Sequence, residues 1–271
     1  MPQQYPDNID MYLSGSKLYG DDFTLEQILS WYEQEKEGYA SIGDKSRSGY
    51  QYPYHIQNDV VCFSLLDFSD HLKVLSIGGA YGDELLPIAD HISDITILEP
   101  SSLFDTKEIK GKPIRYVTPS VSGQLSFNDD SFDLITCFGV LHHIPNVTYV
   151  LSEIYRVLKP GGYLLIKEPI VSMGNWRNQR KGLTKNERGI PLNLFDSMLG
   201  NLKFTIIQRV PYSVKPLDRV FKLLFKPLYG SHFFWKLDKF LSKIFLVNYH
   251  YHPTRFYHYI RTVAICYVVT K

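Results

Sequence analysis

The chain has 271 residues, 29 basic and 28 acidic side chains, and a net charge of +1, so nothing global draws it to nucleic acid. Cys62, Cys137 and Cys266 stand far apart, form no metal-ligand spacing, and as a sparse odd set read as a reducing, cytoplasmic setting. The polar start lacks a signal peptide's apolar stretch, and no apolar run reaches the roughly 18 residues of a membrane span.

Residues 1–70 read as an amino-terminal helical extension or lid, and 71–271 as one α/β domain. Thr24-Leu-Glu-Gln27 matches a capping box. Leu25, Ile28, Leu29 and Tyr32 follow at helical spacing, which predicts one apolar stripe ending near Gly38. A second helix is expected from about Asn58 to Asp70. The stretch Val74–Ile77 then reads as a buried strand, followed by the glycine turn Gly78-Gly79-Ala80-Tyr81-Gly82, Asp83, and the helical pattern Leu85, Leu86, Ile88, Ala89. Strand, glycine turn and helix open a nucleotide-binding unit. Taken alone, the turn could also be a plain tight connection.

Further strands are expected at Ile95–Leu98, ending in Glu99, and at Ile114–Val117, Phe132–Cys137, Tyr163–Lys167 and Phe204–Arg209. Helices are expected at about 147–157 and 192–200, and Leu158-Lys-Pro-Gly-Gly162 as a turn. Such alternation implies a Rossmann-like, mostly parallel sheet of seven strands with helices on both faces. The last strand, Thr262–Thr270, lacks room for a helical crossover and is expected to be antiparallel. A carboxylate at the tip of the second strand, Glu99, suits a ribose. The turn spacing G-G-x-x-G, with Tyr81 inside, departs from the dinucleotide fingerprint G-x-G-x-x-G, which disfavours an NAD-linked oxidoreductase.

Four motifs in order resemble the class I S-adenosylmethionine (SAM)-dependent methyltransferases of small-molecule type: Val74–Gly82, Leu98-Glu99-Pro100, the run from Leu125 to Pro145 containing Leu-His-His-Ile-Pro, and Arg156–Ile166 containing Leu-Lys-Pro-Gly-Gly. The resemblance covers about 72–168 and implies SAM as cosubstrate, with S-adenosylhomocysteine as product. It implies that Gly78, Gly79, Ala80, Tyr81 and Gly82 lie against the methionine part, and that Asp83 meets the ammonium. Glu99 would hold the ribose, with Pro100 and Ser101 beside the adenine and Cys137 and Phe138 along the pocket. The loop Ser120–Leu125 lacks the acid that relatives often place on the adenine. The amino-terminal and inter-strand segments resemble those of bacterial methyltransferases of surface-glycan synthesis.

Methyl transfer is an in-line displacement that needs alignment and exclusion of water, and no metal. His142, His143 and Glu168 are the candidate bases or acceptor ligands; packing around a turn is the alternative for each. Insertions at 169–191 and 214–260 must emerge over the site. In the first, Trp176, Arg177, Arg180 and Arg188 suit an anionic acceptor. The second interleaves bases with aromatics and carries +6 over 214–256, against −7 over residues 1–44. Lys236, Lys239 and Lys243 share one helical face and Leu237, Phe240, Leu241 and Ile244 another, a pattern for peripheral membrane contact through 214–250, for a lid, or for a dimer surface. The expected function is methylation, best O-methylation, of a small or carrier-linked acceptor such as a nucleotide- or lipid-linked sugar. A non-catalytic SAM-binding regulatory protein is the alternative.

Overall fold

The computed structural model describes residues 9–36, 38, 46–66, 68, 70–178, 180–215 and 230–271. Its centre is a run of β-branched and leucine-rich strands: β1 (Leu72–Ile77), β2 (Ile92–Leu98), β3 (Glu108–Ile109), β4 (Lys112–Val117), β5 (Phe132–Phe138), β6 (Leu158–Pro169), β7 (Thr205–Lys215) and β8 (Arg261–Thr270). They form one sheet in the order β3-β4-β2-β1-β5-β6-β8-β7. Pairings β4-β2-β1-β5-β6 are parallel, and β8 runs antiparallel to both β6 and β7. The short β3, antiparallel to β4, is an eighth strand beyond the seven expected.

Because side chains alternate across a strand, the sheet builds two apolar layers. Leu75, Ile135, Leu164, Ile166 and Ile265 pack on one face beneath helices α4 (Val147–Val157) and α5 (Leu192–Asn201). Val74, Ile95, Leu134, Leu165 and Val268 pack on the other, against α3 (His55–Val61) and α6 (His232–Phe245). That second layer also takes Leu85, Ile88 and Ala89 of Asp83–His91, a 3-10 segment carrying Pro87 where a regular helix was expected. Proline removes a backbone donor, which an α-helix interior tolerates poorly. Among the described residues, no helix is long and apolar enough to cross a membrane.

Several boundaries differ from the sequence reading. Helix α3 ends at Val61 and a 3-10 turn, Phe63–Leu65, replaces the rest of the helix expected to Asp70. β6 starts at Leu158, so the Leu-Lys-Pro-Gly-Gly stretch lies within the strand, with Gly161 at φ +75°. The capping box of α2 (Leu25–Glu35) forms, Thr24 Oγ1 accepting from Gln27 N–H and Gln27 Oε1 from Thr24 N–H. Only part of its apolar stripe faces inward: Ile28 is buried and Tyr32 half-buried, alongside Trp31 and Glu35, while Leu25 and Leu29 are 58% and 44% exposed. Trp31 Nε1–H donates to His143 O at 2.6 Å, so a polar anchor turned the helix. Cys62 and Cys266, expected as free thiols, form a disulfide joining the end of α3 to β8, with Cys137 left as a buried thiol.

Candidate active site

The strand order reverses between β1 and β5, and a ligand crevice in an open α/β sheet forms at the carboxyl ends beside such a reversal. A cavity of about 740 Å³ lies there. Gly78, Gly79 and Ala80 line it, with Glu99, Pro100, Ser101 and Phe138. The glycines are dictated by space. Gly78 sits at φ +63°, and a Cβ there would lie 2.5 Å from Val140. A Cβ on Gly79 would lie 2.0 Å from Ser76 Oγ. Tyr116 O–H holds the turn from behind by donating to Ala80 O at 2.9 Å.

Glu99 stands at the end of β2, accepting from Ala80 N–H at 3.2 Å and Ser101 N–H at 3.1 Å. Both oxygens are thus fixed beside the turn, and an ionised carboxylate can accept several bonds at once. This fits a nucleoside ribose next to a backbone cradle too narrow for side chains. The remaining cofactor candidates lie elsewhere. Tyr81 is buried against Tyr50 and Phe104, Gly82 packs on Ile97 and Ile109, and Cys137 belongs to the core. Asp83 is paired with Arg47 at 2.7 Å, because the loop before α3 folds over the turn. Its neighbour Glu84 lines the cavity instead; burial pushes its carboxyl up to about 7, opposed in part by the Ser76 hydroxyl that donates to it.

At the other end stand His142 and His143, both on the cavity wall. Glu168 is fully buried and does not line the cavity. Its Oε1 accepts from Val140 N–H at 2.8 Å and Leu141 N–H at 2.7 Å, and its Oε2 lies 2.6 Å from His142 Nδ1. An ionised carboxylate only accepts, which puts a ring proton on Nδ1, while Nε2 lies 3.6 Å from Glu187 Oε1. His143 Nδ1 is held at 3.0 Å by Glu35 Oε2, from α2. Burial, then His142, keeps His143 below the ordinary histidine value. Burial alone would raise Glu35, yet hydrogen bonds from His143, Thr184 and Asn186 N–H hold it below the usual carboxylate range. His142, His143 and Glu187 bring donor atoms within 4.8 Å of one another, although both Nδ1 atoms are already engaged.

The four acceptor candidates do not converge on the cavity. Arg188 is fully buried and donates to the carbonyls of Tyr19, Leu141, His142, Ile144 and Pro145. Arg180 donates to those of Met173, Thr184, Lys185 and Glu187. Trp176 is buried, stacked on Tyr19 at 5.1 Å, and Arg177 bonds Asn175 at the surface. A guanidinium's five donors suit gathering carbonyls as well as anions, and carbonyls outside helix and sheet need such partners when buried. The two insertions do reach the site: Met173, Gly182 and Glu187 line it from the first, and Tyr212, Phe234, Trp235 and Asp238 from the strand and helix around the second. Of the second insertion's basic and apolar residues, Arg219, Phe221, Lys222, Leu223, Leu224, Phe225 and Lys226 lie outside the described residues.

Lys167 was missed. It follows the apolar run Leu164-Leu165-Ile166 near the carboxyl end of β6, and a basic residue there, beside Glu168, was the available signal. It lines the cavity, 5% exposed.

Residues 75–166 match the family model described as methyltransferase domain. An uncharacterized methyltransferase, YbaJ of Bacillus subtilis, is 31% identical over 127 residues, 44% of this chain and 50% of that protein. A sterol 4-C-methyltransferase of Caenorhabditis elegans is 30% identical over 111 residues, 39% of this chain and 33% of the relative. The chain spans half or less of the length of the curated relatives it matches. The crystal structure of an S-adenosylmethionine-dependent methyltransferase from Mesorhizobium loti superposes with a TM-score of 0.53 at 14% identity, over 80% of this chain and 100% of that one, and so shares the fold. The glycine turn against β1, the acid at the tip of β2, the antiparallel β8 and the matched motifs lead to one conclusion: residues 75–166 match a methyltransferase domain, set in a fold shared with an S-adenosylmethionine-dependent methyltransferase.

Proposed function

We propose that the chain is a SAM-dependent methyltransferase that O-methylates a small or carrier-linked acceptor. The observation that carries this is Glu99, its oxygens fixed by two backbone N–H groups beside a turn with no room for a Cβ. Bound SAM supplies an electrophilic methyl group on a sulfonium. The chain's own residues grip the ribose through Glu99, admit the methionine part along Gly78–Ala80, and seat the acceptor toward β5 and β6. His142 and His143, each steadied by a carboxylate, contact and order that acceptor, with Glu168 acting through His142. An anionic sugar acceptor drew on Arg177, Arg180 and Arg188; with these directed to protein groups, the acceptor's nature rests on the rest of the wall. Peripheral membrane contact through α6 belongs to the same proposal, since its outer face exposes Phe233, Phe240 and Ile244.

Titration calorimetry tests the reading. SAM and S-adenosylhomocysteine are expected to bind and NAD not to bind. Glu99→Ala is expected to weaken SAM by about 1–3 kcal/mol through lost charge-assisted hydrogen bonds. Binding without turnover against cell-extract acceptors would favour the regulatory alternative.

A further inference from the structure

Buried lysine needs a partner or a neutral form, because an ammonium loses its hydration on burial. Lys167 has two neutral partners. Its Nζ donates to Asn58 Oδ1 at 2.5 Å and to Gln57 Oε1, both on α3. Asn58 is locked in that orientation because its Nδ2–H donates to Tyr52 Oη at 2.7 Å. The rings of Phe138, Tyr54 and Tyr212 stand 5.3, 5.4 and 5.5 Å from Nζ. Among the described residues, no ion pair joins Lys167 to a carboxylate. Glu168, next in sequence, points to the opposite face of β6 and is committed to His142. Asp238 of α6 shares the cavity, and its carboxylate accepts from Ser213 and Val214 N–H. The phenols Tyr54 and Tyr212 also face Lys167, the latter pushed up by burial and neutral at ordinary pH.

Position adds to chemistry. Lys167 pairs with Phe138 across β5 and β6, and its carbonyl accepts from Gly139 N–H at 2.7 Å. β5 in turn adjoins β1, whose end is the glycine turn. With strands about 4.8 Å apart, Lys167 sits two strands from the cradle, on the acceptor side, leaving room for one flat group between.

We propose that Lys167 is the catalytic base of this enzyme and that the acceptor is a planar molecule bearing an acidic hydroxyl, a phenol or enol. This rests on the methyltransferase reading and deepens it. The neutral amine takes the hydroxyl proton and becomes an ammonium paired with the new oxyanion. The oxyanion's electron pair forms the bond to the methyl carbon as the carbon–sulfur bond breaks, its electrons passing to sulfur. The proton stays on Lys167 and leaves to solvent after product release. Burial pulls Lys167 down to about 7, so a neutral amine is populated where the reaction runs. A phenol or enol lies within a few units of such a base, whereas a sugar hydroxyl is far too weak an acid. The aromatic walls of Phe138, Tyr212 and Trp235 suit a flat partner.

The probe is 4-nitrophenol, whose ionisation near neutrality is visible by absorbance, added to the full-length protein saturated with S-adenosylhomocysteine. The wild type is expected to bind it as phenolate, shifting its apparent ionisation down by at least tenfold in proton concentration. Lys167→Met, apolar and of similar length, is expected to abolish that shift and to slow turnover by about 10²–10⁴-fold. Asn58→Asp supplies an internal counter-ion and is expected to abolish the shift too, while its melting temperature shows that it folds. S-adenosylhomocysteine affinity, followed by calorimetry, is expected to be unchanged in both. A wild type that ignores the probe or holds it as neutral phenol, or a Lys167→Met that still binds phenolate, overturns the proposal. Loss of nucleoside binding by the wild type itself would instead bring down the methyltransferase reading.

Discussion

Glu84 shows how one side chain sets a pH window. It lies buried beneath the glycine turn, and burial holds its carboxyl at about 7. An unfolded glutamate ionises near 4.3. Between these values the native state keeps a proton that the unfolded chain has lost. The stability tied to that proton is therefore full below about 4.3 and is lost as pH rises through about 7. Glu84→Gln removes the titration while keeping the volume. Denaturant melts at pH 5 and pH 8 are expected to show the wild type losing about 1–3 kcal/mol more than the variant across that interval. Parallel losses would mean that Glu84 ionises normally. The sequence reading took its neighbour Asp83 for the cosubstrate. The choice turned on Arg47, 36 positions earlier, whose pairing with Asp83 depends on a loop path that no local pattern encodes.

At the scale of elements, the irregular stretch after β6 works as a strap. Arg188 gathers carbonyls from the turn at 141–145 and from Tyr19, and stands 5.3 Å from the Trp31 ring. It thereby ties the amino-terminal extension to the histidine turn. Arg188→Ala leaves buried carbonyls unsatisfied and is expected to cost about 3–5 kcal/mol in denaturant unfolding. Arg188→Lys is expected to cost about 2 kcal/mol, since an ammonium cannot reproduce the planar fork. A change below about 0.5 kcal/mol in Arg188→Ala would mean that the strap carries no load. The arginine was visible in the sequence as a base in a loop over the site. Its burial was not, because a loop's carbonyl positions exist only after the chain has folded. Part of the inward face of α2 was hidden for the same reason: spacing picked out the buried Ile28 together with the exposed Leu25 and Leu29, while Trp31, whose ring N–H donates to the carbonyl of His143 112 residues away, lay outside the pattern.

At the scale of the molecule, α6 has two working faces. Phe234, Trp235 and Asp238 line the cavity, while Phe233, Phe240 and Ile244 stand outside with Lys236 and Lys243 exposed alongside. Such a stripe suits the interface of an anionic bilayer. In vesicle co-sedimentation, binding is expected to need anionic lipid, to weaken with salt, and to fall in a Phe240→Ser, Ile244→Ser double variant. Equal binding to neutral vesicles, or none to either, would remove the membrane from the proposal.

The succession of strands, the antiparallel last strand, the glycine turn and Glu99 were all legible in the chain. Each follows from local spacing: strand-length apolar runs, a turn that tolerates no side chain, a charge at a strand's tip. Tertiary structure alone decided which polar groups meet. It turned Glu168 toward the backbone and Lys167 toward the cavity from adjacent positions on one strand, and it supplied Gln57, Asn58 and Glu35 from segments over a hundred residues away. The physical reason is that alternation sends neighbours to opposite faces, while what awaits them there is set by packing across the whole chain.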